Sequence, residues 1–270
     1  MSEPATADLP LAARKDQDLP GHWLLARMGK RVLRPGGLEL TNQMLADAAL
    51  PGADVVELAP GLGKTAADIL ATGPKSYVGV EADPDAVTLT QKVVGSRGRL
   101  VEADAAATGL AADSGDVVVG EAMLTMQSER GKDAIISEAF RVLRPGGRYA
   151  IHELALEPDS LSDEQKTEIR QALARSIKVN ARPLTEAEWR ERLTANGFEI
   201  EKVGFARMAL LEPRRVIADE GALRALKIVG NVLRNGDARR RILGMRSVFR
   251  KYRNELAAIE IIARKPVDNE

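Results

Sequence analysis

Residues 55–66, with the sequence VVELAPGLGKTA, constrain the fold of this chain more than any other segment. The apolar run carries Glu57 near its end and passes into a turn that contains Gly61 and Gly63. Glycines without a Cβ atom let a backbone approach a ligand closely, and the amides of a following helix face the same crevice. A second apolar run ends in Glu81. A glycine turn followed about 20 residues later by an acid predicts a βαβ unit that holds an adenosine-containing cofactor.

Apolar runs and helical patterns alternate along most of the chain. The runs predict strands near 54–59, 77–81, 98–102, 115–120, 147–155, 198–206 and 256–265, and the helical patterns lie near 64–72, 84–95, 130–143 and 185–196. Such alternation favours an α/β fold with a parallel sheet covered by helices on both faces. The run GDVVVG at 115–120 is continuously apolar, as expected for a strand buried on both sides.

Five segments are predicted around this pattern. They are a mobile N-terminal tail at 1–18, a helical lid segment at 19–50, a cofactor-binding core at 51–206 and 254–266, and helical insertions at 157–184 and 207–253. In the lid segment, Pro35-Gly36-Gly37 predicts a break, followed by a helix capped by Thr41. The second insertion predicts helices near 214–235 and 238–252. The sequence RVLRPGG occurs at 31–37 and again at 141–147, and we interpret both copies as helix ends.

Composition excludes several classes of function. The 270 residues include no cysteine, which rules out disulfides, thiolate metal sites and a cysteine nucleophile. The formal net charge is zero and aromatic residues make up 3%, which argues against nucleic-acid binding. No apolar run reaches the roughly 18 residues that a membrane span needs, and the N-terminus does not look like a signal peptide. We therefore expect a cytoplasmic protein without a metal, while an oligomer stays open.

The glycine turn admits three interpretations. The segment 61–66 has the G-x-G-x-x-A pattern of nicotinamide dinucleotide-binding proteins, but a carboxylate stands at the strand tip, where a pyrophosphate would be repelled. A nucleoside triphosphate loop needs a glycine where this chain has Leu58. The third interpretation is that the acid at the strand tip faces a cation, and it fits these residues best.

In that third interpretation, Glu57-x-Ala59-x-Gly61-x-Gly63 resembles the first motif of class I S-adenosylmethionine-dependent methyltransferases. The sequence DVVVGE at 116–121 resembles their fourth strand, and RVLRPGGRY at 141–149 resembles the approach to their fifth. The resemblance covers roughly 40–205 and the last strand. It implies a Rossmann-like, doubly wound sheet of seven strands in the order 3-2-1-4-5-7-6, with strand 7 antiparallel and the insertions forming a helical cap.

The resemblance also implies where S-adenosylmethionine would bind. Glu57 would hold the ammonium of the amino-acid tail, and Glu81 would accept hydrogen bonds from the ribose hydroxyls. Glu121 would lie below the sulfonium and face the substrate, although Asp or Asn is more usual at that position. Further cofactor contacts would come from Ala59, Gly61, Gly63, Ala82, Asp104 and Ala105. For Asp104, a role in stabilising a turn is an alternative to binding the adenine amino group.

The catalytic candidates are His152 and Glu121. His152 lies near the carboxyl end of the predicted fifth strand, where it would act as a general base or contact the substrate. A histidine that is simply hydrogen-bonded at a strand edge is the alternative. His22 lies in the lid segment, which could fold over the site, and a surface histidine is the alternative there.

The two insertions and residues 19–40 are predicted to form the acceptor pocket, because they leave the sheet on the cofactor side. Between 207 and 253 the chain has 13 Lys or Arg and four Asp or Glu. This surplus predicts an anionic acceptor or an acidic membrane surface as partner, or else two basic solvated helix faces. The predicted function is methyl transfer to a small molecule that is anionic or apolar. A nicotinamide oxidoreductase and a non-catalytic S-adenosylmethionine-binding protein are the alternatives.

The pattern as a whole resembles the bacterial group that includes ubiquinone/menaquinone-type, sterol-type and arsenite-type methyltransferases. The arsenite type relies on cysteines, and their absence argues against that activity.

Overall fold

A computed structural model describes residues 9–11 and 13–267, and one twisted sheet of eight strands forms its centre. The strands are β1 Asp54–Leu58, β2 Ser76–Glu81, β3 Arg99–Glu102, β4 Gly115–Glu121, β5 Leu143–Leu156, β6 Leu184–Thr185, β7 Glu199–Arg207 and β8 Leu256–Arg264. The helices are α1 Gly21–Arg27, α2 Gly37–Asp47, α3 Lys64–Ala71, α4 Pro84–Val94, α5 Glu129–Val142, α6 Asp163–Ile177, α7 Glu186–Ala195, α8 Pro213–Glu220, α9 Ala222–Arg234 and α10 Gly236–Lys251.

The strand order is β3-β2-β1-β4-β5-β8-β7, with the two-residue β6 paired beside the end of β5. β8 runs antiparallel to both β5 and β7, whereas the other main pairings are parallel. With β6 set aside, this order is the predicted 3-2-1-4-5-7-6 arrangement with its last strand antiparallel. The predicted fold class is confirmed, and β6 is the one strand among the described residues that the sequence analysis missed.

Strand β4 illustrates how the sheet separates two apolar layers. Its side chains alternate between faces, as in any strand: Val118 belongs to the cluster that includes Ile136 and Trp189, whereas Val117 packs with Ile69 on the other face. All five of these side chains are almost completely buried. Burial on both sides explains why the centre of the strand, Val117 to Val119, is apolar.

The helical insertions build a third region on the carboxyl side of the sheet. α6 and α10 share an apolar cluster with the end of β5. A second cluster joins α10 to α1, with Leu24, Met28 and Met245 at its centre. The 207–253 insertion therefore packs against the N-terminal segment as well as against the 157–184 insertion.

The structure corrects two boundaries in this region. The predicted helix 214–235 is two helices, α8 and α9, because the chain turns at Gly221 with φ +81°. Thr41 does not cap α2, which begins at Gly37 after the Pro-Gly-Gly break. Thr41 lies in the second turn of α2, and its hydroxyl donates a hydrogen bond to a buried carboxylate.

The two RVLRPGG copies differ in structure. In the second copy Arg141 lies in the last turn of α5 and the chain continues into β5, as predicted for a helix end. In the first copy the interpretation is wrong, because α1 already ends at Arg27 and residues 30–34 form an extended connection.

The predicted mobile tail falls partly outside the described residues, which exclude 1–8 and 12. Its described part contacts the rest of the chain at a few positions: Leu9 is buried and Asp16 forms an ion pair with Arg27 at 2.7 Å, whereas most of 13–18 is exposed. Within 9–11 and 13–267, no helix combines the length and the apolar character needed to cross a bilayer.

Candidate functional site

A cleft of about 250 Å³ opens at the carboxyl ends of β1, β2 and β4. Five of the predicted site residues line it: Glu57, Ala59, Gly61, Glu81 and Glu121. Sequence reasoning missed further lining residues, of which Arg34, Thr65, Ala122 and Gln127 are examples. The parallel strands end together at this edge, and so residues far apart in the sequence meet here.

Two of the non-glycine residues with a positive φ lie at the mouth of this cleft. Ala59 and Ala122 follow β1 and β4 directly and adopt φ values of +52° and +54°. Each conformation is held by a backbone hydrogen bond of 2.8 Å, donated to Val80 and to His152 respectively. Non-glycine residues in this region cost on the order of 1 kcal/mol or more, and they turn the chain sharply away from the strand tips. The tips are therefore left open to a ligand.

Glu57 lies at the floor of the cleft and is almost fully buried. Burial raises the pKa of Glu57 to about 8, although the Tyr77 hydroxyl donates a 2.6 Å hydrogen bond to the carboxylate and opposes the shift. At neutral pH this group is therefore mostly protonated in the free protein. A bound cation would favour the charged form, as expected for a residue that meets an ammonium group.

Glu81 is oriented by the backbone on both sides of it. One carboxylate oxygen accepts the Gly61 N–H at 3.0 Å, and the other accepts the Asp83 N–H at 3.1 Å. A carboxylate oxygen has two lone pairs, so each oxygen can still accept a hydroxyl proton. The bond to Gly61 also fixes the glycine turn against the tip of β2.

Gly63 supports the turn from behind. It has φ +71° and precedes α3, and a Cβ atom there would lie 3.1 Å from the Val93 side chain and 3.3 Å from the Cα of Thr90. The residue therefore permits close contact between α3 and α4. Its expected direct contact with the cofactor stays a prediction.

The predicted adenine-binding residues lie away from the cleft floor. Asp104 is exposed, and its side chain accepts the Ala106 N–H at 2.8 Å, which is the turn-stabilising alternative. Ala82 is exposed and Ala105 is half-buried. Their contacts with the cofactor also stay predictions.

Glu121 is the centre of a buried polar cluster. It pairs with Arg34 at 2.9 Å and with Nδ1 of His152 at 2.8 Å, and it accepts protons from the hydroxyls of Thr41 and Thr65. Burial by itself would raise the pKa of Glu121, but Arg34 and the His152 hydrogen bond outweigh burial and lower the pKa to about 2. Glu121 is therefore a permanent anion at the end of β4.

The prediction placed the His152 side chain where it could contact the substrate, but this side chain does not line the cleft. Its side chain is fully buried, and Nε2 accepts the Gly36 N–H at 3.0 Å while Nδ1 faces Glu121. These partners assign the proton to Nδ1. Because both ring nitrogens are occupied, His152 is a positioning residue that links β5 to the start of α2. The strand-edge alternative is the one that the contacts support.

Arg34 is the most important residue that sequence reasoning missed. Its Nη2 donates to the Thr65 hydroxyl at 2.7 Å, its Nε faces Glu121, and its Nη1 is buried without a hydrogen-bond partner. The side chain lines the cleft. An unpaired guanidinium N–H costs free energy unless a ligand accepts it. The only sequence signal was the repeated RVLRPGG motif, which did not indicate this position.

Two acids at the end of α8 hold the backbone on both sides of Arg34 and so position its side chain in the cleft. Glu220 accepts the N–H groups of Arg31 and Val32 at 2.6 and 2.7 Å. Asp219 accepts the Leu38 N–H at 3.0 Å. Both acids are buried, and together they hold the extended connection 30–34 against the sheet.

A second, apolar cavity of about 90 Å³ adjoins the cleft, and we call it the acceptor cavity. Its walls come from α1, α6, α10 and the loop after β4, and include Leu25, Leu173, Ile177, Ala181, Met208, Met245 and Phe249. His22, Leu33, Ala122 and Met126 line both spaces. The two spaces therefore meet along a shared wall.

The acceptor cavity contains one carboxylate, and that group is already satisfied. Glu153 accepts the N–H groups of Met123, Leu124 and Thr125 between 2.7 and 3.0 Å, together with the Thr125 hydroxyl at 2.6 Å. Glu153 is fully buried. It fixes the loop after β4 and leaves the cavity an apolar interior.

His22 lies where the cleft and the acceptor cavity meet. Burial lowers the pKa of His22 to about 4, so the ring is neutral at physiological pH. The ring packs against Trp23, with centroids 4.9 Å apart. The described residues also contain no group of three His, Cys, Asp or Glu that could hold a metal ion.

Comparison with known proteins identifies the family. Residues 55–147 match the model of a methyltransferase domain. The chain is 30% identical over 255 residues to an uncharacterised protein of Haemophilus influenzae, covering 92% of this chain and 99% of that protein.

Two solved structures share the fold at 17% sequence identity. The [4+2]-cyclase SpnF has a TM-score of 0.69, with 90% of this chain and 93% of that chain covered. Phosphoethanolamine N-methyltransferase 2 of Haemonchus contortus, in complex with S-adenosyl-L-methionine, has a TM-score of 0.68, with 98% of this chain and 60% of that chain covered. Identity at this level establishes the fold alone. The matched domain, on a sheet with the expected strand order, shows that the chain belongs to the class I S-adenosylmethionine-dependent methyltransferases.

Proposed function

We propose that this chain transfers a methyl group from S-adenosylmethionine to a small molecule whose apolar part occupies the acceptor cavity. The observation that carries the proposal is the shared wall between that cavity and the charged cleft. Ligand sites combine an apolar lining with a few placed polar groups. The acceptor cavity has this composition, and it favours an apolar acceptor over the anionic one.

The residues of the cleft fit the cofactor. The unpaired Nη1 of Arg34 suits its carboxylate, Glu57 suits its ammonium and Glu81 suits its ribose hydroxyls. S-Adenosylmethionine supplies a methyl group that is already activated on a sulfonium. The protein is therefore left to orient the acceptor and to exclude water.

His22 is proposed as the group that meets the reacting atom of the acceptor. It is neutral at physiological pH, and its ring lies where the cleft and the acceptor cavity meet. A neutral imidazole nitrogen can accept a hydrogen bond from the hydroxyl or amine of the acceptor and so orient its reacting atom. This role replaces the one that the sequence suggested for His152. We also propose Glu121 as a neighbour of the cofactor, because it lines the cleft as an anion paired with Arg34.

A cofactor test comes first. S-Adenosylhomocysteine should raise the melting temperature of the protein and NAD should not. The discriminating group is Glu57, which suits an ammonium and offers a pyrophosphate no positive charge, whereas Glu81 suits the ribose of either ligand. Stabilisation by NAD alone would contradict the proposal and favour an oxidoreductase.

An acceptor test follows, with labelled S-adenosylmethionine and a panel of small hydroxyl and amine compounds graded from apolar to anionic. Turnover should rise with the apolar character of the compound. The His22→Gln variant should lose turnover while its affinity for S-adenosylhomocysteine stays unchanged. Cofactor binding without transfer to any member of an extensive panel would favour the non-catalytic alternative.

A further inference from the structure

Helix α9 presents a row of large apolar side chains to the outside. Leu223, Leu226, Val229 and Leu233 are 86%, 69%, 53% and 60% exposed. Spacings of three and four residues place them on one face of the helix. Proteins rarely leave such a continuous apolar surface without a partner. The row therefore needs an occupant outside the chain.

The opposite face of α9 already has its own contacts. Ala225 and Ile228 are buried, and the Asn231 side chain donates a 3.1 Å hydrogen bond to the Met28 carbonyl. The helix is held against the N-terminal segment by this inner face. The outer leucines are consequently not required for the fold.

The charges in this region are sorted between inside and outside. Of the four acids in 207–253, Asp219 and Glu220 are buried against the connection 30–34. Basic side chains remain on the outer surface, with Arg234 near the apolar row and Arg239 and Arg240 at the start of α10. Nine of the 13 basic side chains are exposed, against one of the four acids, so the outer surface keeps a positive excess of eight charges.

We propose that the α9–α10 hairpin, Ala222–Lys251, docks on the surface of an anionic lipid bilayer. The leucine row enters the boundary between headgroups and acyl chains, and the arginines lie among the anionic headgroups. An apolar stripe bordered by Lys and Arg is the composition that binds membrane surfaces. A second copy of the chain fits less well, because joining two such faces would bring two strongly basic surfaces together.

Docking here would also place the acceptor cavity beside the membrane. The inner face of α10 supplies Met245 and Phe249 to that cavity. An apolar acceptor could then pass from the bilayer to the cavity, a consequence that rests on the proposed function. The docking itself does not rest on it.

The test is vesicle flotation of the full chain. Vesicles with about 30% phosphatidylglycerol should carry the protein upward, whereas pure phosphatidylcholine vesicles should carry much less, because the headgroup charge attracts the arginines. Raising the salt from about 0.1 M to 0.5 M should reduce binding, because screening shortens the range of that attraction.

Two variants separate the parts of the surface. Leu226→Glu/Leu233→Glu should abolish flotation, and Arg239→Ala/Arg240→Ala should weaken it by roughly fivefold for each arginine. Val267→Glu is the matched control, since Val267 is 51% exposed at a different place in the chain. Stabilisation by S-adenosylhomocysteine should persist in all three variants, which shows that they fold and separates docking from catalysis.

Equal flotation with both vesicle types, or none with either, would overturn the proposal. A dimer in sedimentation that Leu226→Glu/Leu233→Glu dissociates would also overturn it and would assign the row to a second copy.

Discussion

The cofactor cleft and the acceptor cavity are neighbours, but they are built in different ways. The cleft lies on the tips of β1, β2 and β4, and its charged groups are held in place by hydrogen bonds. The acceptor cavity lies between α1, α6 and α10 and is enclosed by apolar side chains, three of which are methionines. The cleft is thus rigid and specific, whereas flexible methionines make the cavity adaptable.

One sheet can therefore support polar and apolar recognition at once. Polar recognition needs fixed directions, which strand ends provide through their shared register. Apolar recognition needs shape and volume, which helices packed outside the sheet can provide with many sequences. Four changes test whether this division holds.

The largest effect is expected for Arg34→Ala. The change leaves Glu121 as a buried anion without its main partner, and breaking a buried pair in this way costs about 3–5 kcal/mol. Chemical denaturation should show a loss of that size in the free energy of unfolding. Arg144→Ala is the matched control, because Arg144 holds the same place in the second RVLRPGG copy with a side chain that is 38% exposed. A change of about 0–1 kcal/mol is expected there, and equal losses would contradict the assignment.

The next effect concerns the cleft alone. Glu81→Gln should weaken S-adenosylhomocysteine binding by about 1.5–3 kcal/mol, because it removes hydrogen bonds to a charged acceptor. Isothermal titration calorimetry measures the change. Glu102→Gln is the control, since Glu102 ends the neighbouring β3 and is exposed. Unchanged affinity in Glu81→Gln would remove Glu81 from the cofactor site.

The reciprocal change fills the acceptor cavity. Ala181 is buried in its wall, and Ala181→Phe should suppress turnover of an apolar acceptor while it costs about 1–3 kcal/mol of stability through overpacking. Affinity for S-adenosylhomocysteine should not change. Ala195→Phe makes the same substitution at an exposed site on α7. If Ala181→Phe weakened cofactor binding instead, the two spaces would not be separate.

The most gradual effect is a pH dependence of stability without ligand. The pKa of Glu57 is raised from 4.5 to about 8 in the folded protein, so folding takes up a proton between these values. The contribution of Glu57 is present below pH 4.5 and is lost as the pH rises through 8, by at most about 1.4 kcal/mol per pH unit. Glu57→Gln should reduce this slope in thermal denaturation, and the slope that remains is assigned to Glu153 and Glu260, whose pKa values burial also raises.

Glu121 provides the opposite case, because its pKa is lowered to about 2. Its contribution is present above pH 4.5 and is lost as the pH falls toward 2.

A mutant of Glu57 that kept the full slope between pH 4.5 and 8 would show that another buried group causes the pH dependence in that range.

The sequence predicted the sheet well, and it singled out part of the cleft lining, whose role toward the cofactor stays a prediction. Strand positions, strand order and the acids at 57, 81 and 121 follow from local patterns, because each acid stands near the end of an apolar run. The glycine turn was equally local. Parallel strand ends then bring these groups together without further information.

The rest of the candidate site depends on contacts between segments that are far apart in the sequence. Arg34 reaches the cleft because Glu220, nearly 190 residues later, holds the connection before it. His152 is occupied by a backbone N–H that only the tertiary fold brings near. No local pattern predicts such contacts, and the acceptor cavity likewise arises from helices that are far apart in the sequence.

The hydrogen bonds that Glu153 accepts from the loop after β4 bear on how the acceptor range of this enzyme could diversify. Four donors bind that single carboxylate, so the partition between the two ligands is anchored to the sheet. Substitutions in α6 and α10 can reshape the outer wall without moving it. Under the proposed function, new acceptors could thus be acquired one side chain at a time, while the residues proposed to hold the methyl donor stay unchanged.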